Sequence, residues 1–128
     1  YNANPGSFRG VLQSIRFMHP KTHLIAVIGP MAELGENAEQ FHKEVGEFIY
    51  DSGCKKLLVL GGDLGESYLE GWKNAGGPKD DAKRFESLEE LQKDFQQDWD
   101  QKSIVLVKGS RSAAMERFVK AILNHESE

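Results

Sequence analysis

Three short apolar runs constrain this chain more than anything else in it: Leu24-Ile25-Ala26-Val27-Ile28, Leu57-Leu58-Val59-Leu60 and Ile104-Val105-Leu106-Val107. Each is too short for a helix and lacks polar alternation, so each reads as a strand covered on both faces. Ala82 to Phe85 is a shorter strand candidate. Between the runs the apolar residues switch to helical spacing. Phe8, Val11, Leu12 and Ile15 predict a helix to about Phe17, with Asn4 as cap and Pro5 at the first helical position. Phe41, Val45, Phe48 and Ile49 predict a second, with Gly53 placed to close it. Tyr68, Leu69 and Trp72 belong to a third, from about Leu64 to Lys73. Leu88, Leu91, Phe95 and Trp99 belong to a fourth, where Ser87 and Glu90 have the spacing of a capping box. Met115, Phe118, Val119, Ile122 and Leu123 place one face of a fifth toward the core. Strands alternating with helices must be joined by crossovers. The expectation is an α/β domain over residues 1–128, three layers deep and Rossmann-like, with a mostly parallel sheet.

Composition narrows the function. The net charge of −4 comes without a basic stripe, which argues against nucleic acid as partner. No stretch is long and apolar enough to span a bilayer. A single cysteine, Cys54, excludes an internal disulfide and fits a reducing, cytoplasmic setting. Cys54 reads as a packing residue ahead of an apolar run. The four histidines, His19, His23, His42 and His125, lack metal-ligand spacing, so no metal site is expected. His42 follows Phe41 on a helix near a loop of carboxylates; a structural and a functional role are both open to it. Neither G-x-x-x-x-G-K-[ST] nor G-x-G-x-x-G occurs, so the chain has no triphosphate cradle of those kinds. The opening Tyr1-Asn2-Ala3-Asn4-Pro5 is an unusual start and suggests a piece of a longer chain.

The chemistry concentrates where strands end. Lys108, Gly109, Ser110 and Arg111 follow the third apolar run and precede a helix. In open α/β sheets ligands bind at that position, and a helix N-terminus adds its own attraction for an anion. A carboxylate or phosphate would suit the loop; a turn glycine among solvated charges would explain it equally. Glu33 and Glu36 follow the first run, and Asp63 and Glu66 the second. Cations in one loop and carboxylates in others suit a zwitterion such as an amino acid or short peptide. The acids could instead flank the next helices, where negative charge is favoured anyway.

Three segments taken together carry a resemblance: Tyr1-Asn2-Ala3-Asn4-Pro5-Gly6-Ser7; Met31-Ala32-Glu33-Leu34-Gly35-Glu36 with His42 and Val45-Gly46; and Val107-Lys108-Gly109-Ser110-Arg111 with Met115-Glu116. In this order and spacing the chain resembles the C-terminal domain of the Mur ligases over nearly its whole length. Within them it is most similar to the branch that joins D-alanyl-D-alanine to a UDP-N-acetylmuramoyl-tripeptide during peptidoglycan synthesis. The resemblance implies an ATP- and Mg2+-dependent reaction through an acyl phosphate. It implies that the phosphate loop and magnesium ligands lie in a central domain outside this chain, so that this piece carries no catalytic residue and is inactive alone. It places Asn2 and Asn4 near the nucleotide, and Lys108, Ser110, Arg111 and the Glu33 loop near the incoming dipeptide. One departure is plain: the family usually has an aspartate after the glycine of the second segment, where this chain has Pro30. The competing reading from the residues alone is a freestanding α/β module for a small anionic ligand.

Overall fold

A computed structural model describes residues 5–29, 37–61, 65–99, 103–108 and 117–120. Helix α1 spans Pro5–Met18, strand β1 Leu24–Ile28, α2 Ala38–Asp51 and β2 Lys56–Leu60. Then come α3, Gly65–Asn74, a short 3-10 turn at Lys79–Asp81, β3 at Ala82–Phe85, α4 at Leu88–Asp98 and β4 at Ile104–Lys108. The four strands form one sheet in the order β3-β2-β1-β4, and every pairing is parallel.

Side chains on a strand alternate between faces, and the core divides accordingly. Leu24, Ala26, Ile28, Leu57 and Val59 point to one face and pack with Leu12, Val45, Ile49, Tyr68 and Trp72 of α1, α2 and α3. Ile25, Val27, Leu58 and Leu60 point to the other and pack with Leu91 and Phe95 of α4 and with Phe118. The topology explains this split. From β1 to β3 the chain steps one way across the sheet, then returns past β1 to place β4. Parallel crossovers are right-handed, so reversing direction moves the connecting helix to the opposite face.

Local chemistry fixes the ends. The Ser87 side chain accepts from the Glu90 N–H at 3.2 Å, one half of the capping box. Past α2, Gly53 takes a φ of +84°, a conformation glycine adopts without penalty, and its N–H reaches the Tyr50 carbonyl at 2.9 Å. Lys56 is buried at the start of β2, its charge met by Asp94 of α4 at 2.5 Å; Lys83 of β3 reaches the same carboxylate at 3.2 Å. Burial by itself would raise Asp94, but the two lysines outweigh it and hold the carboxyl below its usual range. Cys54 is buried, its Sγ donating toward the Leu24 and Lys56 carbonyls at 3.1 Å. Burial pushes that thiol up to about 11, so near neutral pH it is a protonated packing group.

The run Ile104–Val107 is packed on both faces as expected, Ile104 and Leu106 against one cluster and Val105 and Val107 against the other. Of the four only Leu106 is buried, because β4 lies at the edge of the described sheet and has a strand neighbour on one side only. One expectation needs correction. Val119 was expected to face the core but is 40% exposed, while Phe118 beside it is fully buried. Consecutive helical residues differ by roughly 100° in direction, so centring Phe118 on the core turns Val119 toward its margin. Leu64, Met115, Ile122 and Leu123 lie outside the described residues.

Candidate functional site

All four strands run the same way, so their carboxyl ends share one end of the sheet. There β1 and β4 are neighbours, and Ile28 is in register with Lys108. From this point the chain diverges. The connection after β1 leads to α2 on one face, while the connection after β4 leads to Phe118, which packs at 5.1 Å against Phe95 on the other. Two adjacent parallel strands whose connections leave to opposite faces define a topological switch point, where open α/β sheets bind their ligands.

The loops of the sequence reading emerge here. Gly29, the last described residue before the Glu33 loop, is buried. Lys108 ends β4 beside it, and its main chain sets where the Ser110-Arg111 loop begins. Asn2, Asn4, Glu33, Glu36, Asp63, Ser110 and Arg111 lie outside the described residues. What the fold brings together is therefore the origin of the two loops, one residue apart in register across neighbouring strands.

Beneath the crevice the described residues are locked into the scaffold. His42, in the second turn of α2, is buried and bonds through Nδ1 to the Ala38 carbonyl one turn earlier. Its ring lies 4.4 Å from that of Tyr68, centre to centre. Burial lowers the histidine pKa against the smaller opposing effect of the Ala38 bond, so His42 is a neutral core histidine. Tyr68 is also buried, which raises its phenol pKa, and its hydroxyl has no hydrogen-bond partner among the described residues. Glu66 is 71% exposed at its side chain and pairs at 3.2 Å with Arg84, which also reaches Glu86 at 2.6 Å. The Glu66 carboxylate thus has an internal partner. Sequence spacing could not supply it, because Arg84 lies 18 positions away on another element.

The state of His42 has a measurable consequence. Its folded pKa lies below the unfolded value of 6.5, so the unfolded chain takes up the proton first. Stability is complete above that pH and falls as the solution is acidified through it. Urea midpoints at about pH 7.5 and about pH 5.5 should differ in the parent chain, and His42→Asn should shrink that difference. An unchanged pH slope in the variant would show that His42 is not the titrating group.

Several cations of the described residues are engaged within the fold. Lys43 is paired with Glu39 and Glu70, Lys56 and Lys83 with Asp94, and Arg84 with Glu66 and Glu86. Among the described residues no three His, Cys, Asp or Glu side chains gather as a metal ion requires. Among them, too, no helix is long and apolar enough to cross a membrane.

Known proteins share this architecture. The chain is 34% identical over 124 residues to UDP-N-acetylmuramoyl-tripeptide–D-alanyl-D-alanine ligase of Escherichia coli K12, covering 95% of this chain and 25% of that protein. It is 29% identical over 119 residues to the ligase of the same name from Rickettsia prowazekii, covering 93% of this chain and 25% of that protein. The chain thus spans about a quarter of the length of these curated relatives. Among solved structures, a MurF from Acinetobacter baumannii superposes with a TM-score of 0.74 at 25% identity, over 97% of this chain and 26% of that one. MurF ligase from Thermotoga maritima, solved in complex with ADP, superposes with a TM-score of 0.71 at 25% identity, over 94% of this chain and 26% of that one. Residues 1–111 match the family described as Mur ligase, glutamate ligase domain, which takes in β1 and β4 with the loops that leave them. The chain belongs to that Mur ligase family.

Proposed function

We propose that this chain is the C-terminal domain of a cytoplasmic, ATP- and Mg2+-dependent ligase that joins D-alanyl-D-alanine to UDP-N-acetylmuramoyl-tripeptide in peptidoglycan synthesis. The observation that carries the reading is the register of Ile28 with Lys108 at a topological switch point. It starts the carboxylate-bearing loop and the cationic loop side by side, on strands whose connections part to opposite faces. A zwitterionic dipeptide needs that pairing of charges. In this reading Lys108, Ser110 and Arg111 hold the dipeptide carboxylate, the Glu33 loop lines the same crevice, and Asn2 and Asn4 lie on the nucleotide side. The phosphates and the metal are held by another part of the enzyme. Reaction then requires the two parts to close, which also keeps water from the acyl phosphate. The relatives' names support the substrates, and the ADP in the Thermotoga maritima structure supports the nucleotide.

The test is kinetic and uses the full-length ligase. Arg111→Ala should raise the KM for D-alanyl-D-alanine about tenfold or more, since a charged hydrogen bond contributes about 1.5–3 kcal/mol. The KM for ATP should stay nearly constant. Arg111→Lys should rescue poorly, because an ammonium lacks the planar fork that matches a carboxylate. A rise in the ATP KM with an unchanged dipeptide KM would remove this loop from the dipeptide site.

A further inference from the structure

Across the sheet from β4, strand β3 forms the other edge of the described sheet. A cavity of about 460 Å³ lies along it, walled by α3 and the turn at Lys79–Asp81. Leu69, Ala82 and Phe85 give the cavity an apolar lining. Four cations, Lys73, Lys79, Lys83 and Arg84, face two carboxylates, Glu66 and Asp80. The charge left to the groove itself is that of Lys73 and Lys79 beside Asp80. Lys83 and Arg84 are engaged by Asp94, Glu66 and Glu86. Lys73 and Lys79 are exposed and take part in no ion pair among the described residues.

The main chain of β3 adds a direction. The Gly61 N–H donates to the Phe85 carbonyl at 2.7 Å, so that carbonyl faces β2. Successive residues of a strand turn their main-chain groups to opposite sides. The Ala82 carbonyl therefore faces away from β2, toward the place a further strand would occupy; the Ala82 N–H is already used, donating to the Lys79 carbonyl.

We propose that this groove accepts an extended acidic polypeptide segment, laid along β3 as an added strand with its carboxylates on Lys73 and Lys79. Strand addition draws affinity from main-chain bonds and specificity from alternate side chains entering a pocket. The groove offers the outward Ala82 carbonyl and a part-apolar pocket, and Lys73 and Lys79 select an anionic partner. A second copy of this chain is the wrong occupant, because pairing β3 with itself would set Lys83 and Arg84 against like charges. A cationic edge resists self-association for the same reason.

Fluorescence anisotropy on the full chain tests this with a fluorescein-labelled peptide of alternating Glu and Val, against its Lys and Val counterpart. Saturable binding is expected for the acidic peptide alone, weakening as salt is added. Lys73→Glu combined with Lys79→Glu should weaken it about tenfold, the scale of reversing two exposed ion pairs. Both lysines are solvent-facing, so the variant should still fold cooperatively, with only the small loss expected from placing an acid in the last turn of α3. Hydrogen exchange in the parent chain should slow across residues 82–85 when the acidic peptide binds. Equal binding of the basic peptide, no saturable binding, indifference to the charge reversal, or protection elsewhere than β3 would each overturn the proposal. So would dimerisation of the chain through β3.

Discussion

Gly71→Ala should destabilise the fold by about 3 kcal/mol or more, the upper end of what overpacking costs in a closed core. Gly46→Ala should do the same. Helices α2 and α3 cross with almost nothing between their backbones. A Cβ on Gly71 would fall well inside contact distance of the Lys43 carbonyl oxygen, and one on Gly46 would do so against the Tyr68 carbonyl oxygen. Both obstacles are backbone, so neither can swing aside like a flexible side chain; the helices themselves must separate. That separation would loosen Phe41, Val45, Tyr68 and Trp72, all buried in the same cluster. Gly10 is the control. It lies in α1 with nothing within 4 Å of the position its Cβ would take. Gly10→Ala should stabilise by about 0.5–1 kcal/mol, because alanine loses less backbone entropy in a helix. Urea unfolding of the three single variants decides the matter. Equal, small effects at all three positions would mean that α2 and α3 are not held at this distance in solution.

This seam bears on function because α2 and α3 follow the loops after β1 and β2. Fixing the helices against each other fixes where those loops return to the scaffold. The His42 and Tyr68 rings meet across the same seam, which accounts for a buried histidine so close to the crevice.

The elements and their boundaries were legible in the sequence because each carries its own local signal. Leu24–Ile28 and Ala82–Phe85 read as strands and are strands, and the first helical pattern is α1, Pro5–Met18, its expected cap Asn4 lying outside the described residues. Alternation of the two periodicities was enough for a parallel sheet. Strand order was not legible. Four apolar residues say that a strand is covered on both faces, as β4 is, but whether it sits at the centre or the edge depends on which neighbours the crossovers choose. The site divides the same way. The loops bearing Glu33 and Arg111 could be placed at one end of the sheet from sequence alone, since every parallel strand ends there. Their origin on adjacent strands, Ile28 beside Lys108, needed the topology. The pairing of Glu66 with Arg84, the Lys56–Asp94 bridge and the glycine seam join positions far apart in the chain. No periodicity within one segment encodes them.

Arg16→Ala should lower the free energy of unfolding by about 2–4 kcal/mol, allowing for partial exposure of bonds worth about 1.5–3 kcal/mol each when charged. The guanidinium gathers five main-chain carbonyls. Nε donates to Ser52 at 2.7 Å and one terminal nitrogen to Gly53 at 3.0 Å, both just past the end of α2. The other terminal nitrogen reaches His19 at 3.3 Å, Pro20 at 3.2 Å and Thr22 at 3.0 Å in the turn between α1 and β1. The last carbonyls of a helix have no partner within it, and a cation there also meets the negative end of the helix dipole. One side chain therefore closes α2, orders the α1–β1 turn and ties both to α1. Alanine would leave four of these carbonyls without this donor and the fifth, His19, with only the long contact from the Thr22 N–H. Lysine should recover only a small part, because a single ammonium cannot face two separate groups of carbonyls as the planar fork does. The urea midpoint should fall with the slope unchanged, since the same surface is exposed on unfolding. The functional consequence follows from position. Helix α1 continues directly from the segment bearing Asn2 and Asn4, while α2 continues from the Glu33 loop. Under the proposed function both segments serve one reaction centre, so loosening the Arg16 tie between α1 and α2 would disturb both. In the full-length ligase, Arg16→Ala assayed well below its melting temperature should then raise the KM values for ATP and D-alanyl-D-alanine together. A stability loss with both KM values at the parent level would confine Arg16 to holding the fold.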